Sequence, residues 1–128
     1  MTPQHIFLYG TLHPQHAPAE VRDYARQLLH VGAATVSGTL YHLGEYPALL
    51  AYGSHRVPGT VFALPAAPRD EPLLRAFDRY EDYRPLDHPG SLYLRVAMQA
   101  ILADHTAVLC WVYLYNQPLP SAAQLLSR

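Results

Sequence analysis

From His5 to Leu12 the chain reads HIFLYGTL, an apolar run that meets a glycine before its end, and it predicts a first strand over about Ile6–Leu12. After the break HPQHAP, the stretch AEVRDYARQLLH puts Val21, Tyr24, Ala25, Leu28 and Leu29 at helical spacing, with Gly32 placed to end the helix. Strand-like runs follow at ATVSGTLYHL, YPALLAY and RVPGTVFAL, separated by Gly, Pro and Ser at intervals suited to antiparallel neighbours. DEPLLRAFDRYEDY reads as a second helix. Two longer strands, SLYLRVAMQAIL and HTAVLCWVYLY, are joined tightly at ADH, and the tail PSAAQLLSR suggests one helical turn. About six strands with two short helices predict an α+β fold: an antiparallel sheet that curls into a barrel, with helices outside it or over one end.

Composition narrows the function classes. A chain of 128 residues, half of them apolar and 15% charged, suits a single globular domain over residues 1–128. Its 12 prolines and 7 glycines are spread as punctuation, without a repeat or a low-complexity linker. A net charge of -1 argues against a nucleic-acid partner, because a phosphate-binding surface needs excess Lys and Arg. Cys110 is the one cysteine, which rules out an intrachain disulfide and a multi-cysteine zinc site, and its place in AVLCWVYLY predicts a buried thiol. No run approaches about eighteen uninterrupted apolar residues, so the expectation is a cytoplasmic protein with no membrane partner.

The candidate chemistry lies in the second helix, where Leu73, Leu74, Phe77 and Tyr80 form the apolar stripe. Glu81 follows Phe77 by four residues and Leu74 by seven, which places a carboxylate on the inward face. Burial and the negative end of the helix dipole both raise the pKa of such a group, the condition for a general base near neutral pH. The alternative is a Glu81 at a fraying helix end, paired with Arg84 or another exposed cation.

Five segments, FLYGTL at 7–12, GTLYHLGEYPALL at 38–50, VPGTVFAL at 57–64, FDRYEDY at 77–83 and SLYLRV at 91–96, occur in the order and spacing of the γ-glutamylcyclotransferase-like (AIG2-like) proteins. The chain resembles the short bacterial and γ-glutamylamine branch of that family most. This resemblance implies a small, mostly antiparallel β-barrel flanked by short helices, with a cavity at one end where the YGTL loop faces the glutamate. It also implies a transferase- or lyase-type cyclisation: the α-amine of a γ-glutamyl group attacks its own γ-carbonyl, giving 5-oxoproline and a free amine. By the same resemblance Glu81 is the general acid/base, Tyr9, Gly10, Thr11, Leu12 and Tyr93 hold the small-molecule substrate, and no metal or organic cofactor is required. Gly10 allows close approach of backbone to ligand, and backbone N–H groups of Gly10, Thr11 and Leu12 are donors for the γ-oxygen or the substrate carboxylate.

Other readings stay open beside this one. A binding module on the same fold would keep the cavity and lose turnover, and an interaction protein would expose a large apolar patch instead. Tyr93 either lines the pocket or caps the core, Arg95 on the same strand face is expected at the outer face or paired with an acid, and EYPALL is expected to shape the pocket wall, with Tyr46 and Pro47 structural. His13 and His16, in HPQH, lack a third ligand and read as a solvated loop. Two residues depart from the family pattern: Asp82 stands where glycine commonly follows the glutamate, and Phe77 where leucine is usual. Asp82 either raises the Glu81 pKa further or points away. The protein is expected to be a monomer, or a homodimer formed through an edge strand.

Overall fold

The structure is a computed structural model, and it describes residues 2–10, 12–44, 46–121 and 123–125, without the side chain of Gln124. Among the described residues six strands and two helices run in the order β1 (His5–Leu8), α1 (Arg22–Ala25), β2 (Leu29–His42), β3 (Pro47–Ala63), α2 (Asp70–Tyr80), β4 (Tyr93–Leu102), β5 (Ala107–Tyr115) and β6 (Gln124–Leu125). The sheet order is β3-β1-β5-β4-β2-β6, and a further β3–β2 pairing closes the first five of these strands into a barrel. Only the β1–β5 pairing is parallel, through His5 opposite Cys110 and Ile6 opposite Trp111, so the barrel is mostly antiparallel as expected.

Alternation along the strands sorts the apolar residues into two cores. Phe7, Val36, Leu49, Val57, Val61, Cys110 and Val112 come from strands alone and fill the barrel. Their neighbours Ile6, Leu8, Phe62 and Tyr113 face the other way and pack with Val21, Ala25, Leu73 and Phe77 of the helical layer. Cys110 is fully buried, in line with the expectation of an inert thiol, and burial pushes its pKa up to about 12.

Several element boundaries differ from the pattern. β1 ends at Leu8, and Leu12, expected in the strand, is a buried turn residue. The first helix has four residues: the Gln27 and Leu28 N–H groups bond back only to Tyr24 and Ala25, which tightens the chain after one turn. Val21, Ala25 and Leu28 are buried by that turn, while Leu29, expected on the helix face, is 66% exposed at the start of β2. The runs at 46–52 and 56–64 belong to one strand, β3, interrupted by a bulge. Gly38 lies opposite His55 but Thr39 lies opposite Leu50, so residues 51–54 loop out. Gly53 makes that loop at φ +94°, where a side chain would strike the Thr39 hydroxyl, itself donating to the Tyr52 carbonyl at 2.7 Å. The tail forms β6 against Tyr41 and His42 in place of the expected helical turn, and residues 126–128 of that expectation lie outside the described residues. Among the described residues no helix is long and apolar enough to cross a membrane.

Candidate active site

The end of α2 sets the position of Glu81. Asp70 and Glu71 open the helix with favourable charge at the positive end of its dipole, and Pro72 sits in the first turn, where an N–H has no helical partner. At the other end Glu81 is the C-cap, with its N–H bonded to the Phe77 carbonyl at 2.9 Å. Asp82 then takes the left-handed conformation, φ +54°, and the bonds Asp82 N–H to Arg79 O at 3.2 Å and Tyr83 N–H to Asp78 O at 2.8 Å complete a Schellman motif. Glycine usually fills that position because it lacks a Cβ; aspartate tolerates it better than most residues. The chain leaves the helix along a defined path, tied to β4 by the fully buried Ser91. Its hydroxyl accepts from Arg84 N–H at 2.8 Å and donates to the Asp87 carbonyl at 2.9 Å. Leu92 N–H bonds to the Asp82 carbonyl at 2.9 Å, which brings Tyr93 next to Glu81.

These segments surround a cavity of about 380 Å³ at the end of the barrel where β1 and β5 finish and β3 and β4 begin. Tyr9, Gly10, Leu12, Glu81 and Tyr93, all predicted from sequence, line it together. Thr11, the remaining predicted residue, lies outside the described residues. Tyr46, Pro47, Tyr80, Leu92 and Tyr113 complete most of the wall.

Among the described residues Glu81 is the charged side chain of this wall, and it has no hydrogen bond or ion pair there. Burial pushes its pKa up to about 7. The alternative pairing with Arg84 is not found: Arg84 bonds to Asp82 at 2.9 Å and faces Asp87 at 3.9 Å, all on the exposed side. Asp82 therefore points away from the cavity. It does not contribute to the raised Glu81 pKa, whose cause is burial.

The tyrosines are more constrained than the sequence suggests. The Tyr9 hydroxyl donates to the Tyr113 carbonyl at 2.6 Å and the Tyr93 hydroxyl to the Pro47 carbonyl at 2.8 Å. Burial, then the nearby Tyr93 and the Glu81 carboxylate, hold the Tyr9 phenol well above its ordinary pKa, and burial followed by Glu81 does the same for Tyr93. Both stay neutral. Gly10 packs closely on Pro47, whose ring a Cβ there would meet at 3.3 Å. Arg95 makes the expected acid pairing, a two-bond contact with Asp78 at 2.7 and 3.1 Å, and its guanidinium lies 4.3 Å from the centre of the Trp111 ring. Asp78 also accepts from the Tyr113 hydroxyl at 2.7 Å.

Sequence reasoning missed Asp78 and read Tyr80 as part of the apolar stripe, whereas Tyr46 and Pro47, of EYPALL, lie in the pocket wall as expected. A signal for Asp78 was present: it follows Leu74 by four residues and precedes Glu81 by three, so a second acid shares the inward face. Tyr113 and Leu92 carry no such signal, because only long-range strand pairing brings them to the wall. His13 and His16 lie in the turn after Leu12 with ring centres 5.7 Å apart, and among the described residues no group of three metal-ligating side chains is found.

A family profile described as "Gamma-glutamyl cyclotransferase, AIG2-like" matches residues 6–127. An AIG2-like protein from Mus musculus has a similar structure, with a TM-score of 0.68 and 28% identity over 94% of this chain and 82% of that one. A protein described as gamma-glutamyl cyclotransferase aligns at TM-score 0.64 and 12% identity over 96% of this chain and 68% of that one. An uncharacterized protein from Pyrococcus horikoshii aligns at TM-score 0.57 and 12% identity, covering 95% and 84%. These last two identities speak to the fold alone. No curated protein matches the chain.

Proposed function

The chain belongs to the gamma-glutamyl cyclotransferase, AIG2-like family, and on that premise we propose that it is an enzyme that cyclises a γ-glutamyl group to 5-oxoproline and releases the attached amine. The observation that carries this reading is a carboxylate without a partner among the described residues, held in the cavity wall with its pKa raised by burial to about 7. A group so tuned is half ionised near neutrality and exchanges a proton readily in both directions.

In this mechanism the substrate's α-ammonium gives a proton to the Glu81 carboxylate. The freed amine attacks the γ-carbon, and the new C–N bond closes a five-membered ring while negative charge grows on the γ-oxygen. Gly10 and Leu12 line the same cavity, and in this reading their backbone N–H groups are the donors for that oxygen. Collapse of the intermediate breaks the bond to the leaving nitrogen, which takes the proton held by Glu81; the carboxylate so freed accepts the second proton of the ring nitrogen, which becomes the lactam N–H, and passes it to the released amine. The atoms balance without a redox partner or an external nucleophile. Ring closure is intramolecular, so holding the extended γ-glutamyl chain in a folded form contributes much of the rate. The neutral Tyr9 and Tyr93 phenols, with their protons directed at protein carbonyls, present oxygen lone pairs to an ammonium.

The test is 5-oxoproline release from a panel of γ-glutamyl amino acids, peptides and amines by the purified protein and by Glu81→Gln. The variant keeps the shape of the side chain and deletes the base, so the expected loss in kcat is roughly 10²–10⁴-fold with binding retained. Equal turnover by the two proteins would overturn the assignment of Glu81.

A further inference from the structure

Hydroxyl groups around the cavity fall into two sets. Tyr9, Tyr93 and Tyr113 direct their O–H at the Tyr113 carbonyl, the Pro47 carbonyl and the Asp78 carboxylate, at 2.6, 2.8 and 2.7 Å. A phenol has one proton, so these three offer a ligand only lone pairs. Tyr46 and Tyr80 line the same cavity, and among the described residues no hydrogen bond engages either hydroxyl. Both rings are nevertheless held in place. Tyr46 packs edge-on to Tyr93 with ring centres 6.4 Å apart, and Tyr80 is the last residue of α2, packed on the outer core.

The charge balance of the wall gives these two hydroxyls a task. Among the described residues neither arginine nor histidine lines the cavity, so an anionic group inside it is met there by neutral donors. Its described lining residues carry two kinds, the backbone N–H groups of Gly10 and Leu12 and the phenols of Tyr46 and Tyr80. Resting on the reading above, in which the substrate carries an α-carboxylate and a γ-carbonyl, we infer that Tyr46 and Tyr80 bind the α-carboxylate and leave the backbone donors to the γ-oxygen. Charge that appears only in the transition state is best met by fixed dipoles that need no reorganisation. A carboxylate is charged throughout and has two oxygens, which suits two separate hydroxyls. Its place is also set by chain geometry: the carboxylate shares its carbon with the ammonium that meets Glu81. Tyr80 is the residue before Glu81, and Tyr46 flanks Tyr93, whose phenol feels the Glu81 charge. Tyr46 and Tyr80 are then specificity-determining residues, selecting γ-glutamyl compounds with a free α-carboxylate.

Tyr46→Phe and Tyr80→Phe keep the rings and remove the donors. They are compared with the wild type on a γ-glutamyl substrate and on its α-carboxamide counterpart, and by thermal stabilisation with 5-oxoproline and with 2-pyrrolidinone, which lacks the carboxylate. Each variant is expected to raise KM for the carboxylate substrate roughly ten- to a hundredfold with little change in kcat, and to narrow the gap between the two substrates. Stabilisation by 5-oxoproline should weaken, while that by 2-pyrrolidinone stays as it was. A fall in kcat at unchanged KM would put the phenols on the γ-oxygen and overturn the inference, as would no change in either constant. If the wild type released 5-oxoproline from no γ-glutamyl compound, the proposed reaction would fall by itself and the binding arm would still decide here. Wild type stabilised no more by 5-oxoproline than by 2-pyrrolidinone, or variants stabilised as much as wild type, would overturn it.

Discussion

Glu81 illustrates how little chemistry a single position needs when its surroundings do the tuning. The carboxylate sits in the wall of the cavity, no described cation reaches it, and its pKa rises from 4.5 to about 7. Because the folded value lies above the unfolded one, the folded protein holds more protons between them. The stability linked to this group is present in full below about pH 4.5 and is lost as pH rises through about 7, by on the order of 3 kcal/mol. Glu81→Gln has no such titration. Urea denaturation at pH 5 and pH 8 should therefore show the variant gaining on the wild type by roughly 2–3 kcal/mol at the higher pH. Next to it, Asp82 occupies a left-handed position with its side chain turned to Arg84 on the surface. Replacement by valine, which resists φ > 0, is expected to cost roughly 1–2 kcal/mol, whereas Asp82→Gly should leave stability and the cavity close to wild type.

At the scale of elements, α2 carries the site and Asp78 anchors α2 to the barrel. Its carboxylate holds Arg95 of β4 and the Tyr113 hydroxyl of β5, with side-chain exposures of 16% and 9% for the ion pair. Breaking a pair this buried leaves the arginine without a counter-charge. Asp78→Ala is predicted to lower stability by roughly 3–5 kcal/mol in denaturant melts, more than any exposed pair such as Arg75–Glu71. The helix and the β4–β5 hairpin were legible because each satisfies its own period over ten residues or so, and Glu81 was legible because an acid broke the stripe of one of them. α1 was overdrawn for a physical reason: Val21, Ala25 and Leu28 are buried at spacings that a single turn followed by a tightened exit satisfies as well as a long helix does. The two runs of β3 were split because a four-residue bulge looks, in sequence, like a turn between two strands.

The whole molecule brings these elements together by pairings that no local pattern announces. β1 lies parallel to β5, about a hundred residues later, and β3 closes on both β1 and β2. That closure puts the ends of four strands and one helix around a single cavity, which is why Tyr113 and Leu92 join the wall with no sequence signal of their own. The register across β1 and β3 also sets the Phe7 ring against Gly59 inside the barrel, where a Cβ would collide with the ring and approach the Leu8 carbonyl at 2.8 Å. Gly59→Ala should lower the melting temperature, with a loss of roughly 1–3 kcal/mol from overpacking.

The proposed reaction depends on one property of this assembly, a glutamate whose pKa burial raises to about 7. The direct measurement is an NMR titration of the Glu81 side-chain carboxyl carbon in the folded protein, assigned by comparison with Glu81→Gln. The account predicts a midpoint near pH 7. A midpoint at the ordinary value for an exposed glutamate, about 4.3, would contradict it and remove Glu81 as a base poised for proton exchange.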